Sequence, residues 1–287
     1  MFAKKSIRIE VQLNEGEFKE GQSSIINFKG LPMDVVINRV AFYGINFSAN
    51  IRIYGVTKEH LDTLTRIKWR DMWIPQKAVR VFVNNGYGER LLYEGNIMSA
   101  NPVYATPNVY IDIQSVAGTS FTTKSGIPPS TLKGEVPVPL IFKKICDDYG
   151  ISLVEPPDEI NGMCRDPYFD QNGLAKRLKA AGFAYNVVTF LHNDRVELRP
   201  ASSDYFHFKN WTFTPEHFIG YPKYTDSGIE IILDEAIDVE QGDVFEIKDS
   251  VVTGANREWI VNTCVFNLST KIGGNWFMKI NGSIYVR

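Results

Sequence analysis

From Ile219 to Ile284 the chain is a succession of short apolar runs broken by glycine turns, and such a pattern leaves few folds open. Gly220-Tyr221-Pro222 precedes Gly228-Ile229-Glu230-Ile231-Ile232-Leu233, and Gln241-Gly242-Asp243 precedes Val244-Phe245-Glu246-Ile247. Gly273-Gly274 then separates the run Trp259 to Leu268 from the run Trp276 to Ile284. Side chains along a strand point alternately to opposite faces, so each run offers one face to a core and one to water. Short strands this closely spaced predict a closed or nearly closed β-barrel.

The other end of the chain carries the same signal. Ile7, Ile9, Val11 and Leu13 alternate with polar neighbours, and Ile25 to Phe28, Val35 to Tyr43 and Ala49 to Tyr54 continue the pattern. Thr57 is placed to cap a short helix running to Ile67, with Leu61, Leu64 and Ile67 on its apolar face. Val79 to Val83, a turn at Asn84-Asn85-Gly86, Leu91 to Ile97 and Asn108 to Val116 complete a second β-rich block.

Between the blocks the composition changes. Thr122-Thr123-Lys124-Ser125-Gly126, Pro128-Pro129, Gly134, Pro137 and Pro139 read as an extended connector that drapes over a neighbouring surface. Pro139 suits the first turn of a helix and Gly150 its end, with Ile141, Ile145 and Tyr149 as the buried stripe. A second helix is expected from about Asn172 to Gly182, followed by a hairpin from Phe183 to Phe190 and Arg195 to Arg199. Glu155 to Tyr168 reads as loop. The fold class is therefore mainly β with a small α/β insertion: two tube-like β-barrel domains flank a helix-containing module. The boundaries are 1–118 for the first barrel, 119–139 for the connector, 140–204 for the α/β module and 205–287 for the second barrel.

The residues for catalysis are not assembled in any familiar pattern. His60, His192, His207 and His217 are dispersed, with no ligand spacing to one another or to a cysteine, so no metal and no cofactor is expected. Cys146, Cys164 and Cys264 are odd in number and widely spaced, which argues for reduced thiols rather than a disulfide framework. Asp147-Asp148 lies beside Lys143 and Lys144 and reads as an exposed helix face, while Asp166 and Asp170 read as loop residues that cap the helix at Asn172. There is no G-x-S-x-G, and Gly86-Tyr87-Gly88 lacks the third glycine and following helix of a phosphate loop. A net charge of −2 gives no footprint for nucleic acid and no reason for membrane binding. Met1 to Ile9 carries no apolar stretch of the secretory kind, so no export is expected.

One local feature remains. Trp69-Arg70-Asp71-Met72-Trp73-Ile74-Pro75 sets large apolar side chains between a helix and a strand. Either they plug the end of the first barrel, or Trp69, Arg70 and Trp73 form a contact between subunits, where Trp, Arg and Met are enriched. Trp211, in Asn210-Trp211-Thr212-Phe213, carries the same two readings.

Several of these segments, in this order, resemble the baseplate hub proteins of contractile-tailed bacteriophages, the late-control-type tail proteins. Glu94-Gly95-Asn96-Ile97 looks like the strand after that family's first-barrel hairpin, and Val138 to Gly150 looks like its helix after the connector. Phe183-Ala184-Tyr185-Asn186-Val187 to Pro200 looks like its hairpin. Ile219-Gly220-Tyr221-Pro222, Gly242-Asp243, Trp259-Ile260-Val261 and Gly273-Gly274-Asn275-Trp276 look like its second barrel. The resemblance implies a structural, non-enzymatic homotrimer in which two barrels per chain give a ring of six similar domains. That ring joins a hexameric tail tube to a trimeric central spike, contacts the tape-measure and other baseplate proteins, and leaves a channel that DNA crosses only in transit. It further implies a place in the virion, at the tail baseplate, after assembly in the host cytoplasm. Alternatives are a tail tube-like ring protein and a carbohydrate-binding tail module, the latter suggested by Trp and Tyr in loops.

Overall fold

The structure, a computed structural model, describes residues 5–12, 24–40, 46–65, 78–86, 88–105, 108–117, 127–191, 195–201 and 210–285. The first block holds strands β1 (Ser6–Gln12), β2 (Ile25–Lys29), β3 (Met33–Val40), β4 (Asn46–Tyr54), β5 (Ala78–Asn84), β6 (Glu89–Ala105) and β7 (Asn108–Val116), with helix α1 (Lys58–Thr65) between β4 and β5. The alternation does its work here: Ile7, Ile9, Val11, Ile51, Ile53, Ile111 and Ile113 are all buried. Thr57 Oγ1 accepts from the His60 N–H at 3.4 Å at the start of α1, and Leu61 and Leu64 pack inward. Strand β6 runs well past the expected end at Ile97. Its first half pairs with β5 as far as Asn96 and its second half with β7 from Asn96 onward, with a register shift between Ile97 and Ser99 inside the pairing to β7.

The middle module contains β8 (Ser130–Thr131), β9 (Glu135–Pro137), α2 (Val138–Tyr149), β10 (Ser152–Leu153), β11 (Met163–Arg165), β12 (Tyr168–Phe169), α3 (Leu174–Tyr185), β13 (Val187–Leu191) and β14 (Arg195–Pro200). Helix α2 ends at Gly150, whose φ of 72° is a left-handed position that favours glycine. Its expected stripe of Ile141, Ile145 and Tyr149 is buried. Helix α3 does not stop at Gly182; it continues to Tyr185 and closes at Asn186, with φ 54°. Phe183 to Tyr185 are therefore helical, not strand. Gly182 serves close packing instead, because a Cβ there would meet the Val187 carbonyl oxygen at 2.5 Å. The segment read as loop carries short strands: β11 pairs with β9 and β12 with β8, so two irregular stretches zip together. The module has its own core, in which Phe142, Ile145, Leu174, Leu178 and Val196 are buried.

The last block holds β15 (Asn210–Phe213), β16 (Lys223–Thr225), β17 (Gly228–Leu233), β18 (Val244–Ile247), β19 (Glu258–Ser269) and β20 (Trp276–Ile284). It does not stand apart from the first block. Strand β19 pairs along one edge with β20, and along the other first with β18 and then with β3. The result is one 13-stranded sheet whose main path runs β16-β17-β20-β19-β3-β4-β7-β6-β5-β1-β2. Among the described residues this path is open, with β2 and β16 at its ends. Both blocks share one core, where Ile37 of β3 lies opposite Phe266 of β19.

A polar clasp reinforces the same join. The Asp34 carboxylate accepts from Lys271 Nζ at 2.6 Å, Ser269 Oγ at 2.7 Å and Tyr54 OH at 3.0 Å. Burial pushes Asp34 up, but the hydrogen bonds from Lys271, Ser269 and Tyr54 outweigh it and hold the carboxyl below its usual range. A carboxyl depressed on folding stabilises above its unfolded value of ~3.9, and that stability is lost as pH falls through the lower folded value. Asp34→Asn is expected to remove about 1 kcal/mol or less, since the pair is partly exposed. The loss appears at neutral pH and vanishes near pH ~2, well below the unfolded value. Thermal melts of both proteins at the two pH values measure this; an equal loss at both would contradict it.

Candidate functional site: the seam at Trp211

Of the residues singled out in the sequence, Trp69, Arg70 and Trp73 lie outside the described residues, as do His192 and His207. Trp211 is described. It sits on β15, half-buried and packed against the shared core, and its indole Nε1 donates to Asp243 Oδ2 at 2.8 Å. Asp243 is fully buried, at 0 % exposure, and the same oxygen accepts from the Glu240 N–H at 3.0 Å. The glycine turn at Gln241-Gly242-Asp243 thus aims a carboxylate inward to receive the tryptophan. Gly242, at φ 85°, makes that turn possible.

Trp211 also borders an open cleft of about 320 Å³ lined by Asn85, Arg90, Glu235, Ala236 and Asp238. The cleft lies between the β5–β6 hairpin of the first block and the segment that follows β17. Polar contacts stitch its two sides. Asn85 Nδ2 donates to the Ala236 carbonyl at 2.6 Å, and Arg90 donates to the same oxygen. Lys5 Nζ donates to the Asp234 carbonyl at 2.9 Å. Arg39 donates to the Val239 carbonyl at 3.3 Å and to the Leu92 carbonyl at 2.5 Å, and approaches Asp238 at 3.5 Å. Burial holds Arg90 below its usual value, an effect that nearby Asp238 opposes.

Burial pushes the Cys146 and Cys264 thiols up to about 12, so neither supplies a thiolate near neutral pH. Asp147 is exposed, as the helix-face reading expects, but the Asp148 side chain is only 12 % exposed and accepts from buried Ser130 as well as from Lys144. Asp166 does not cap α3: its Oδ1 accepts from the Gly134 N–H at 2.7 Å, and the residue before α3 is Gly173, with no side-chain cap. His217 Nδ1 sits 2.9 Å from Thr214 Oγ1 in a local turn. Among the described residues no group of three or more His, Cys, Asp or Glu side chains is placed to hold a metal ion. Among them, too, no helix is long and apolar enough to cross a membrane.

Trp211→Phe keeps an aromatic side chain but removes the donor to a buried carboxylate oxygen together with part of the indole's bulk. It is expected to cost ~1–3 kcal/mol. Denaturant unfolding of the variant measures it, and a loss near zero would show that the hydrogen bond carries little.

The seam just described belongs to an architecture found in solved structures. The 43 kDa tail protein of prophage MuSo2 from Shewanella oneidensis matches with a TM-score of 0.65 over 97 % of each chain, at 10 % sequence identity. The chain shares the fold of phage tail proteins. A tail protein from Neisseria meningitidis matches equally, with a TM-score of 0.65 at 9 % identity, over 97 % of this chain and 96 % of that one. An E. coli component of the type VI secretion system, described as structurally similar to bacteriophage T4 tail proteins gp27 and gp5, matches with a TM-score of 0.59. That match is at 7 % identity and covers 89 % of this chain and 74 % of that one. No family model and no curated protein matches by sequence. The mainly β architecture with a helix-containing module between the β blocks is thus common to this chain and to tail proteins with which it shares few residues.

Proposed function

We propose that the chain is a structural, non-enzymatic subunit of a phage tail baseplate hub. The observation that carries this reading is the extent of the likeness: the fold of a prophage tail protein is matched over 97 % of both chains. In this reading three copies associate, and each contributes the 1–118 and 205–287 regions as two ring elements, with 119–139 and 140–204 as connector and peripheral module. Six similar elements reconcile a sixfold tail tube with a threefold central spike, because a duplicated element presents the same contact twice per subunit. DNA crosses the central channel, and the tape-measure protein and other baseplate proteins are neighbours. The site of action is the virion tail, after assembly in the host cytoplasm. Trp69, Arg70 and Trp73 are proposed as contacts between subunits, with the exposed side of Trp211 as a fourth. Light scattering on the purified protein tests the assembly. A trimer that binds a spike protein is expected; a stable monomer at high concentration without spike binding contradicts it, and hexamers would favour a tube-type ring.

A further inference from the structure

Resting on that ring reading, we propose that the exposed face of β7, β4, β3, β19 and β20 is the wall past which DNA slides, a surface built not to hold phosphate. The register puts its side chains in rows across the sheet. Gln114, Asn50, Val36, Asn267 and Phe277 form one row, and Ser48, Asn38, Val265 and Lys279 another. Amides and hydroxyls dominate, and several bond across strands: Asn38 Nδ2 donates to Ser48 Oγ at 3.4 Å, and Asn281 Nδ2 to Thr263 Oγ1 at 3.0 Å. Ser283 Oγ donates to Asn262 Oδ1 at 3.3 Å.

The cations Arg52 and Lys279 on this face, and Lys271 in the turn after β19, each meet a carboxylate. Arg52 meets Asp112 at 3.2 Å, Lys271 meets Asp34 at 2.6 Å, and Lys279 meets Glu230 on neighbouring β17 at 2.9 Å. A polyanion is bound chiefly by cations that displace its counterions. A cation already bonded to a carboxylate gives little of that, and a paired carboxylate raises little barrier in return. The face is equally unsuited to docking a protein. Among the described residues no exposed large apolar residue lies on β3, β4 or β19; those of the sheet flank them, with Ile25 on edge strand β2, Tyr224 on edge strand β16, Leu91 and Met98 on β6, Tyr104 and Val109 at the end of the β6–β7 hairpin, and Ile284 at the end of β20. The middle of the face is mostly polar, with Val36, Val265 and Phe277 half-buried among its amides, while its exposed large apolar residues lie toward the rims. That division suits contacts between neighbours at the rims and unhindered passage over the middle.

The test converts the wall into a trap. Asn50 and Gln114 are exposed and directly opposite each other, so Asn50→Lys with Gln114→Lys adds unpaired cations without touching the core. Oligomeric mass and melting temperature are measured first, with Asn50→Lys alone as the milder variant if the pair melts low. The unmodified ring is expected not to retain short duplex DNA. The lysine ring is expected to bind it at least roughly 100-fold more tightly at low salt, with steep salt dependence, because cations from all copies converge on one duplex. The expected stoichiometry is one duplex per ring. A ring that binds one duplex per chain would place this face outside and overturn the inference while leaving the ring reading intact. Tight DNA binding by the unmodified ring, or retention of an unfolded polypeptide by it, would also overturn the inference. Failure to form a ring at all is read from the mass alone and counts against the ring reading instead.

Discussion

Replacing Arg177 by Met is expected to cost ~3–5 kcal/mol, enough to loosen the middle module. Arg177 lies on α3 at 1 % exposure. Its guanidinium donates to the Gln171, Pro128 and Ile127 carbonyls and to Ser130 Oγ, each at 2.8–2.9 Å, and its centre lies 5.3 Å from that of the Tyr149 ring. Ser130 in turn donates to Asp148 at 2.6 Å, and Asp148 also accepts from Lys144. One side chain thus fastens the end of the connector to both helices. Met fills similar space but leaves carbonyls turned inward without donors. Lys at this position keeps the charge but not the planar fork, so it is expected to recover only a small part of the loss. Thermal melts, together with protease cleavage in the 127–131 segment, read the effect. An unchanged melt and an uncut segment would show that the latch carries no stability.

The second large effect is expected at the join of the two β blocks. Phe266 is fully buried on β19, opposite Ile37 of β3, and Arg39 lies over its ring at 5.1 Å. Phe266→Ala is expected to cost ~3–5 kcal/mol through lost burial and the cavity left behind. The manner of the loss matters more than its size. Because β19 serves β20, β18 and β3 together, protection against hydrogen exchange is expected to fall in β4 and β20 alike. Loss of protection confined to β20 would mean that the blocks are separate cooperative units after all.

Local structure was legible where one physical rule dominates. Alternation located β1, β4 and β7, and the Pro139 to Gly150 span bounded α2 within a residue. Legibility failed where partners distant in sequence decide. Nothing in the run from Leu91 to Ile97 shows that β6 continues through Pro102 to Ala105, because that extension exists only to pair with β7. Gly182 carries the usual mark of a helix end, yet close packing against Val187 required a glycine inside the helix. The merging of two β blocks into one sheet depends on β3 meeting β19 across more than two hundred residues, and hydrophobic period is silent on partner choice.

The seam was half visible in the same sense. Trp211 stood out as an unusual residue, but its partner Asp243 looked like part of a turn, and only the fold makes that carboxylate a buried acceptor. Arg177 resembled any basic residue on an amphipathic helix, since no local pattern announces an arginine that will be surrounded by carbonyls. The neutral face of β3, β4, β7, β19 and β20 could not be read before the register was known. Its rows combine residues from both ends of the chain.

Under the proposed function, copies of this chain close into a ring with two similar elements from each. Class-averaged electron micrographs of the purified protein, viewed along its symmetry axis, test it most directly. A threefold particle with six similar densities around an open channel is expected. A particle with three densities, a closed centre, or no rotational symmetry would contradict it.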